Sequence, residues 1–179
     1  MAEQRSPLEC LALMEQQCLT HARTLPQKHR IEYEWSGIGF RLGDLRLVAS
    51  IEEVAEILTP PPLSVVPRTK SWVCGIANVR GNLLPIMDLG GFISDVPANL
   101  TRRSRILVVS QNDLYAGLAV DAVLGLRHFR PEHRCDAPPA DDPRMRAYLR
   151  HGFRSGDELW GVFSLRDLTQ APLFLQVAV

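Results

Sequence analysis

The chain has 179 residues, enough for one compact domain or two small packed lobes. Hydrophobic residues make up 46%, which excludes a mainly disordered chain, and 20 basic against 20 acidic residues leave no long-range pull on nucleic acid or an acidic membrane. The start MAEQRSPLEC lacks the basic residues and apolar run of a signal peptide, no apolar run is long enough to span a bilayer, and Cys10, Cys18, Cys74 and Cys135 form no C-x-x-C pair, so a reduced, cytoplasmic protein is expected.

Leu8, Leu11, Ala12, Glu15, Cys18, Leu19, Ala22 and Leu25 recur at spacings of three and four, with one polar interruption. That pattern predicts an amphipathic helix over 7–25, capped by Ser6, with Pro7 in its first turn and Pro26 beyond its end. It either packs on the body that follows or meets a partner. The texture changes at Trp35. Alternation over 37–41, the turn residues Gly43-Asp44 and a second alternation through Leu45, Leu47 and Ala49 predict a hairpin. Ile51, Val54, Ala55 and Leu58 fit one face of a short helix, and Pro60-Pro61-Pro62 then impose an extended loop. Two apolar runs, 73–79 and 83–89, flank a tight turn at Arg80-Gly81-Asn82.

Residues 94–104 are polar, contain Pro97 and read as a loop; Arg102, Arg103 and Arg105 form a basic patch expected to be a solvated edge. Strands are predicted over 105–110 and 114–120 around an Asn112-Asp113 turn. Pro131, Pro138, Pro139 and Pro143 mark 131–143 as a long exposed loop. A strand over 159–165, a helical turn from Leu165 and the tail PLFLQVAV, expected to pack on the body, complete the chain.

The second half echoes the first. GDLRLVASIEEVAEIL from Gly43 aligns with NDLYAGLAVDAVLGL from Asn112, bringing Ile51 onto Val120, Glu52 onto Asp121, Val54 onto Val123 and Ile57 onto Leu126. NLLPIMDL from Asn82 faces ELWGVFSL from Glu158, with Ser164 where Asp88 stands. Units of this length suit small closed barrels, which remove exposed strand edges. Two such barrels would leave a groove suited to a partner element.

Reactive chemistry is sparse. There is no glycine-rich phosphate loop, no H-E-x-x-H and no G-x-S-x-G. His128, His133 and Cys135 are near one another in sequence, but in an arginine- and proline-rich stretch that reads as solvated loop rather than a metal site. Asp88 and Asp121 each follow an apolar strand; a hydrolase would need both in one pocket, whereas Asp88 reads as a strand-end residue tying a turn.

GIANVRGNLLPIMDL at 75–89 resembles the signature segment of the CheW-type coupling proteins of bacterial chemosensory pathways: an apolar strand, an N-h-R-G turn (h, apolar), then a strand ending P-h-h-D-L. FRLGDLRLVASIEEVAEIL at 40–58 is similar to that family's opening hairpin with its V-x-E-h turn, and YAGLAVDAVLG at 115–125 to its G-h-x-V-D-x-V segment. The resemblance spans residues 35 to about 170 and is strongest to the branch that serves type IV pilus twitching motility.

The resemblance implies a mainly β fold of two packed SH3-like five-stranded barrels, with an additional N-terminal α-helix. It implies a helical extension at 1–30 and a coupling domain at 31–179, with lobes at about 35–90 and 105–165 that exchange strands. It implies an adaptor without catalysis, cofactor or metal. Its partners would be the regulatory domain of a CheA-type histidine kinase and the cytoplasmic tip of a methyl-accepting chemoreceptor, with no nucleic acid and no membrane insertion. The partner-binding residues it points to are Arg80, Asn78, Gly81, Glu56, Val54, Gly117 and Val123. Glu56 and Arg80 are expected to face outward, Val54 and Ile57 inward. The alternatives are a flagellar or other chemosensory adaptor, or a small hydrolase using Asp88 and Asp121.

Overall fold

The computed structural model describes residues 7–21, 35–96, 100–111, 114–138 and 140–178. The chain divides into two compact units, Met1–Ile31 and Glu32–Val179. In the first, helix α1 (Pro7–His21) opens on its proline and carries Leu8, Leu11 and Met14 exposed. Ser6, Ala22, Leu25 and Pro26, the remaining parts of the predicted helix and its ends, lie outside the described residues.

The second unit begins with the hairpin β1 (Trp35–Leu42) and β2 (Leu45–Ser50), a 3-10 turn at Ile51–Glu53, and β3 (Glu56–Leu58). The hairpin β4 (Val73–Val79) and β5 (Asn82–Asp88) leads into helix α2 (Leu89–Ser94). Strands β6 (Arg105–Gln111), β7 (Leu114–Val120) and β8 (Ala122–Phe129) follow, then a 3-10 turn at Pro131–His133 and β9 (Arg134–Cys135). Helix α3 (Pro143–Tyr148), β10 (Leu149–Ser155), β11 (Glu158–Phe163), α4 (Leu165–Gln170) and α5 (Pro172–Leu175) end the chain. The predicted Asn112-Asp113 turn lies outside the described residues.

The strands form one six-stranded sheet, ordered β8-β1-β2-β11-β10-β9, and one five-stranded sheet, ordered β3-β6-β7-β5-β4. Neither closes, which corrects the expectation of two five-stranded barrels. The reason lies in the edge strands. β3 has three residues and runs into Pro60-Pro61-Pro62; β9 has two and is flanked by Pro131 and Pro138. Proline has no backbone donor, so these segments cannot extend a ladder far enough to seal a cylinder.

The internal repeat is visible in the strand order. β8-β1-β2-β11-β10 matches β3-β6-β7-β5-β4 position by position, with β9 added at one edge. Each sheet takes one hairpin from each half of the chain, and the two meet through a parallel pairing, β2 with β11 and β5 with β7. Ser164 and Asp88 occupy the same place in this scheme, each preceding a short helix.

Both sheets are buried on two faces. Leu107 and Val109 of β6 join the large cluster that also holds Phe40, Leu47 and Phe163, whereas Ile106 and Val108 join a second cluster with Leu84 and Ile86. Val48, between Leu47 and Ala49, belongs to a third, aromatic cluster with Phe129, Phe153 and Trp160. Successive residues point to opposite faces, so a sheet covered on both sides reads as continuous apolar sequence, as RILVVS does. Burial of each such Leu or Phe stabilises the fold by about 1.5–3 kcal/mol. The tail packs on the body as expected, with Phe174 stacked on Trp72 at 5.6 Å between ring centres.

Two local readings are corrected. Residues 51–58 do not form a helix: only the 3-10 turn is helical, and Glu56–Leu58 is strand, which turns Ile57 outward, 39% exposed. Pairing with β6 wins over the spacing of three and four, because strand geometry alternates every residue. The proline-rich stretch 131–143 is not simply an exposed loop either. It contains a 3-10 turn and β9, and Ala140 is buried in the inter-sheet core.

Candidate functional site

The β4–β5 hairpin closes on two residues, since Val79 pairs with Asn82. Its turn residues both have positive φ, 52° at Arg80 and 87° at Gly81. That pattern belongs to the type I′ turn, whose twist suits a right-handed hairpin. Glycine accepts it freely at position 81. Arginine does not, and a side chain in the left-handed region carries a cost of roughly 1–2 kcal/mol. The side chain of Asn78 braces the turn by accepting a hydrogen bond from the Gly81 N–H at 2.9 Å through Oδ1.

Arg80 projects from this turn with its side chain 76% exposed and donates from Nη2 to Glu56 Oε1 at 2.6 Å. Glu56 lies on β3, opposite Val108 of β6. β3 and β4 are the two outer strands of the five-stranded sheet, so the ion pair links the edges that the backbone leaves unjoined. A β-bridge between Ser64 and Ile76 also joins the β3–β4 connection to β4. An ion pair this exposed contributes little to stability, because solvent and salt screen it. Its value is geometric: it fixes the direction of a guanidinium that still has other N–H donors to offer. Leu83, 69% exposed, stands opposite Asn78 in the hairpin register, and Ile57, next to Glu56 in β3, points to the opposite face of the strand from it.

The remaining candidates are placed differently. Val54 and Val123 are half-buried and pack against the inter-sheet core. Gly117 is buried in β7, where a Cβ would come within 2.5 Å of Ile106 Cγ2 and 2.6 Å of Ile86 Cδ1. It is there for close packing. The structure thus brings Arg80, Asn78, Gly81 and Glu56 together at one surface and sets Val54, Val123 and Gly117 into the interior or its margin.

One residue of this neighbourhood escaped the sequence. The Glu53 carboxylate accepts from the backbone N–H of Leu165 at 3.2 Å and of Arg166 at 3.3 Å, the first residues of α4. Ser164 caps the same helix, its Oγ accepting from the Asp167 N–H at 3.2 Å. The S-x-x-D pattern of Ser164 and Asp167 was a readable cap signal. The Glu53 contact had none, since it spans more than a hundred residues.

The two carboxylates considered for hydrolysis have separate structural surroundings. Asp121 Oδ2 accepts from the Gly43 N–H at 2.7 Å, and its own N–H donates to Arg41 O at 3.2 Å, tying the β1–β2 turn to the start of β8. Asp88 is buried ahead of α2, its N–H donating to Trp72 O at 2.7 Å. Its side chain makes no cap bond to α2, unlike Ser164 at α4. Burial, with a smaller contribution from the charge of Asp88, pushes the Cys74 thiol up to about 11, so it stays protonated near neutrality. His128 shares a 2.7 Å hydrogen bond through Nδ1 with Ser36 Oγ, and Cys135 pairs in β9 with Gly152. Among the described residues no group of three or more His, Cys, Asp or Glu is placed to hold a metal ion.

Known proteins resemble the chain as follows. A family model described as the CheW-like domain matches residues 36–172, beginning after α1. Protein PilI of Pseudomonas aeruginosa is 40% identical over 179 residues, covering 100% of both chains. Protein FrzA of Myxococcus xanthus is 40% identical over 107 residues, 60% of this chain and 66% of its own. The crystal structure of the scaffolding protein TtCheW from Thermoanaerobacter tengcongensis superposes with a TM-score of 0.66 at 23% identity, covering 77% of this chain and 94% of that one; this likeness bears on the fold alone.

Proposed function

This chain belongs to the CheW-like domain family, and from that premise we propose that it is a non-enzymatic adaptor coupling a methyl-accepting chemoreceptor to a CheA-type histidine kinase. The full-length likeness to PilI supports a place in a type IV pilus system controlling twitching motility. The adaptor works in the cytoplasm at membrane-bound receptor arrays; no described helix is long and apolar enough to cross a membrane. Residues 1–30 are an extension and 31–179 the coupling domain.

The observation that carries the reading is the strained, exposed turn at Arg80, held by Glu56 and Asn78. A left-handed arginine carries a conformational cost whatever its role, and backbone strain of this kind concentrates at functional sites. Docking requires surfaces rather than reactive groups. A guanidinium held in place offers a fork for a carboxylate or for helix-end carbonyls. Such anchors concentrate interface energy in few residues. Val54, Val123 and Gly117 contribute by holding the surface rather than by touching the partner.

The test is a calorimetric titration of the full chain against the regulatory domain of the kinase and, separately, against a receptor-tip fragment. Saturable binding to both is expected. A chain that is folded and binds neither would overturn the reading. Deleting the gene and scoring twitching against swimming decides between a pilus and a flagellar pathway.

A further inference from the structure

We propose that Glu53 is a positioning residue for the Arg80–Glu56 site, acting through β3; the proposal rests on the docking role given to that site above. β3 has only three residues and a single ladder neighbour, β6. Its approach is held on one side by backbone bonds, Ala55 N–H to Val108 O at 2.8 Å among them. On the other side the described contacts are made by side chains. Val54 packs into the inter-sheet core, Glu56 reaches Arg80, and Glu53 reaches the first turn of α4.

Glu53 closes the 3-10 turn that joins β2 of the six-stranded sheet to β3 of the five-stranded one. Its two carboxylate oxygens take one backbone N–H each, from Leu165 and Arg166, so both the position and the rotation of that turn are fixed. Glu56 lies three residues further on. A rotation of the 3-10 turn would be carried along this short segment to the carboxylate that aims Arg80. α4 does not depend on Glu53 alone, since Ser164 also caps it. The geometry therefore serves the segment that holds Glu53 as much as the helix it touches.

The experiment compares wild type, Glu53→Ala and Glu53→Asp by two readouts, the NMR signal of the Arg80 side-chain Nε–H and titration against the kinase regulatory domain. Both variants are also made in an Arg80→Ala background. Asp retains the charge but withdraws the carboxylate by one methylene, and it keeps the test open if the alanine variant does not fold. The expected result is a shifted Arg80 signal and an affinity loss of about three- to tenfold for Glu53→Ala, a smaller loss for Glu53→Asp, and no further loss from either once Arg80 is gone. An unmoved Arg80 signal, an unchanged affinity, or an equal loss with and without Arg80 would overturn the proposal and leave Glu53 a helix cap. If wild type does not bind the kinase domain, the docking reading fails, and the Arg80 signal alone decides the role of Glu53.

Discussion

The β4–β5 and β10–β11 hairpins close at matching places in the repeat, but with two-residue turns of different type. Each closes a two-residue hairpin at the same place in its sheet, Arg80-Gly81 in one and Gly156-Asp157 in the other. At the first turn position Gly156 takes φ 61° and Arg80 takes φ 52°. The first turn position takes a positive φ in both repeats, with glycine in one and arginine in the other; at the second, Gly81 takes φ 87° whereas Asp157 is not in the positive-φ region. The partner position differs as well. By the repeat alignment Gly125 stands where Glu56 stands, so the second copy has no carboxylate for an arginine to meet. One copy is thus relaxed and bare, the other strained and braced. The fold does not require Arg80, and the contrast assigns it to the surface instead.

The comparison assumes two repeats fused into one folding unit through exchanged hairpins. The largest effect should come from breaking what they share. Phe40 is fully buried in the inter-sheet core, with its ring edge-on to Phe163 at 6.1 Å. Phe40→Ala is expected to cost about 3–5 kcal/mol in urea unfolding, and both sheets should melt in a single transition. Two separated transitions would mean that the repeats fold independently.

Gly156→Arg puts a side chain at the positive-φ position of the other hairpin's turn, the glycine position of a type II′ turn. A Cβ at Gly156 meets nothing within 4 Å, so the cost is backbone conformation alone. A loss of at least about 1–2 kcal/mol is expected, with no change in partner affinity. A fully stable variant would show that left-handed arginine is cheap in these hairpins, and the argument from strain at Arg80 would lapse.

Glu56→Lys keeps the strand and replaces attraction by repulsion. Because the Arg80 side of the pair is largely exposed, stability should change by less than about 1 kcal/mol. Binding to the kinase domain should fall, since Arg80 loses its direction. A melting shift as large as that of Phe40→Ala would instead make Glu56 part of the core.

The smallest effect concerns α2, which follows β5 as α4 follows β11. Arg144 donates to Phe92 O at 2.9 Å and pairs with Asp95 at 2.8 Å, holding the end of α2. Its hydrogen bond keeps the Asp95 carboxyl below the usual carboxylate range. A depressed carboxylate stabilises the fold above its unfolded pKa of about 4 and stops doing so as pH falls through the lowered folded value. Wild type should exceed Asp95→Asn slightly in stability near neutrality, and the difference should vanish in acid. A difference that grows in acid would reverse the sign.

Much of this was legible in the chain. The signature over 75–89 and the echo between Gly43 and Asn112 foretold the family, the repeat and the Arg80 turn. Closure into barrels was not legible, because it depends on whether short edge strands meet, and only their flanking prolines hinted that they do not. Ile57 was misplaced because 51–58 contains apolar residues at both spacings, and the choice fell to β6, a strand fifty residues away. Left-handed Arg80 was hidden for a related reason: N-V-R-G names a turn, whereas the strain at its arginine follows from the hairpin closing on only two residues.

Arg80→Gly tests the central claim most directly, because it removes the side chain and its strain and leaves the two-residue hairpin in place. Removing the left-handed side chain relieves backbone strain, so the melting temperature should hold or rise. Affinity for the kinase regulatory domain, measured by calorimetry beside wild type, should fall about tenfold or more, the size of a hot-spot loss. A variant that binds as tightly as wild type, or one that loses affinity only because it unfolds, would contradict the assignment of Arg80 to docking.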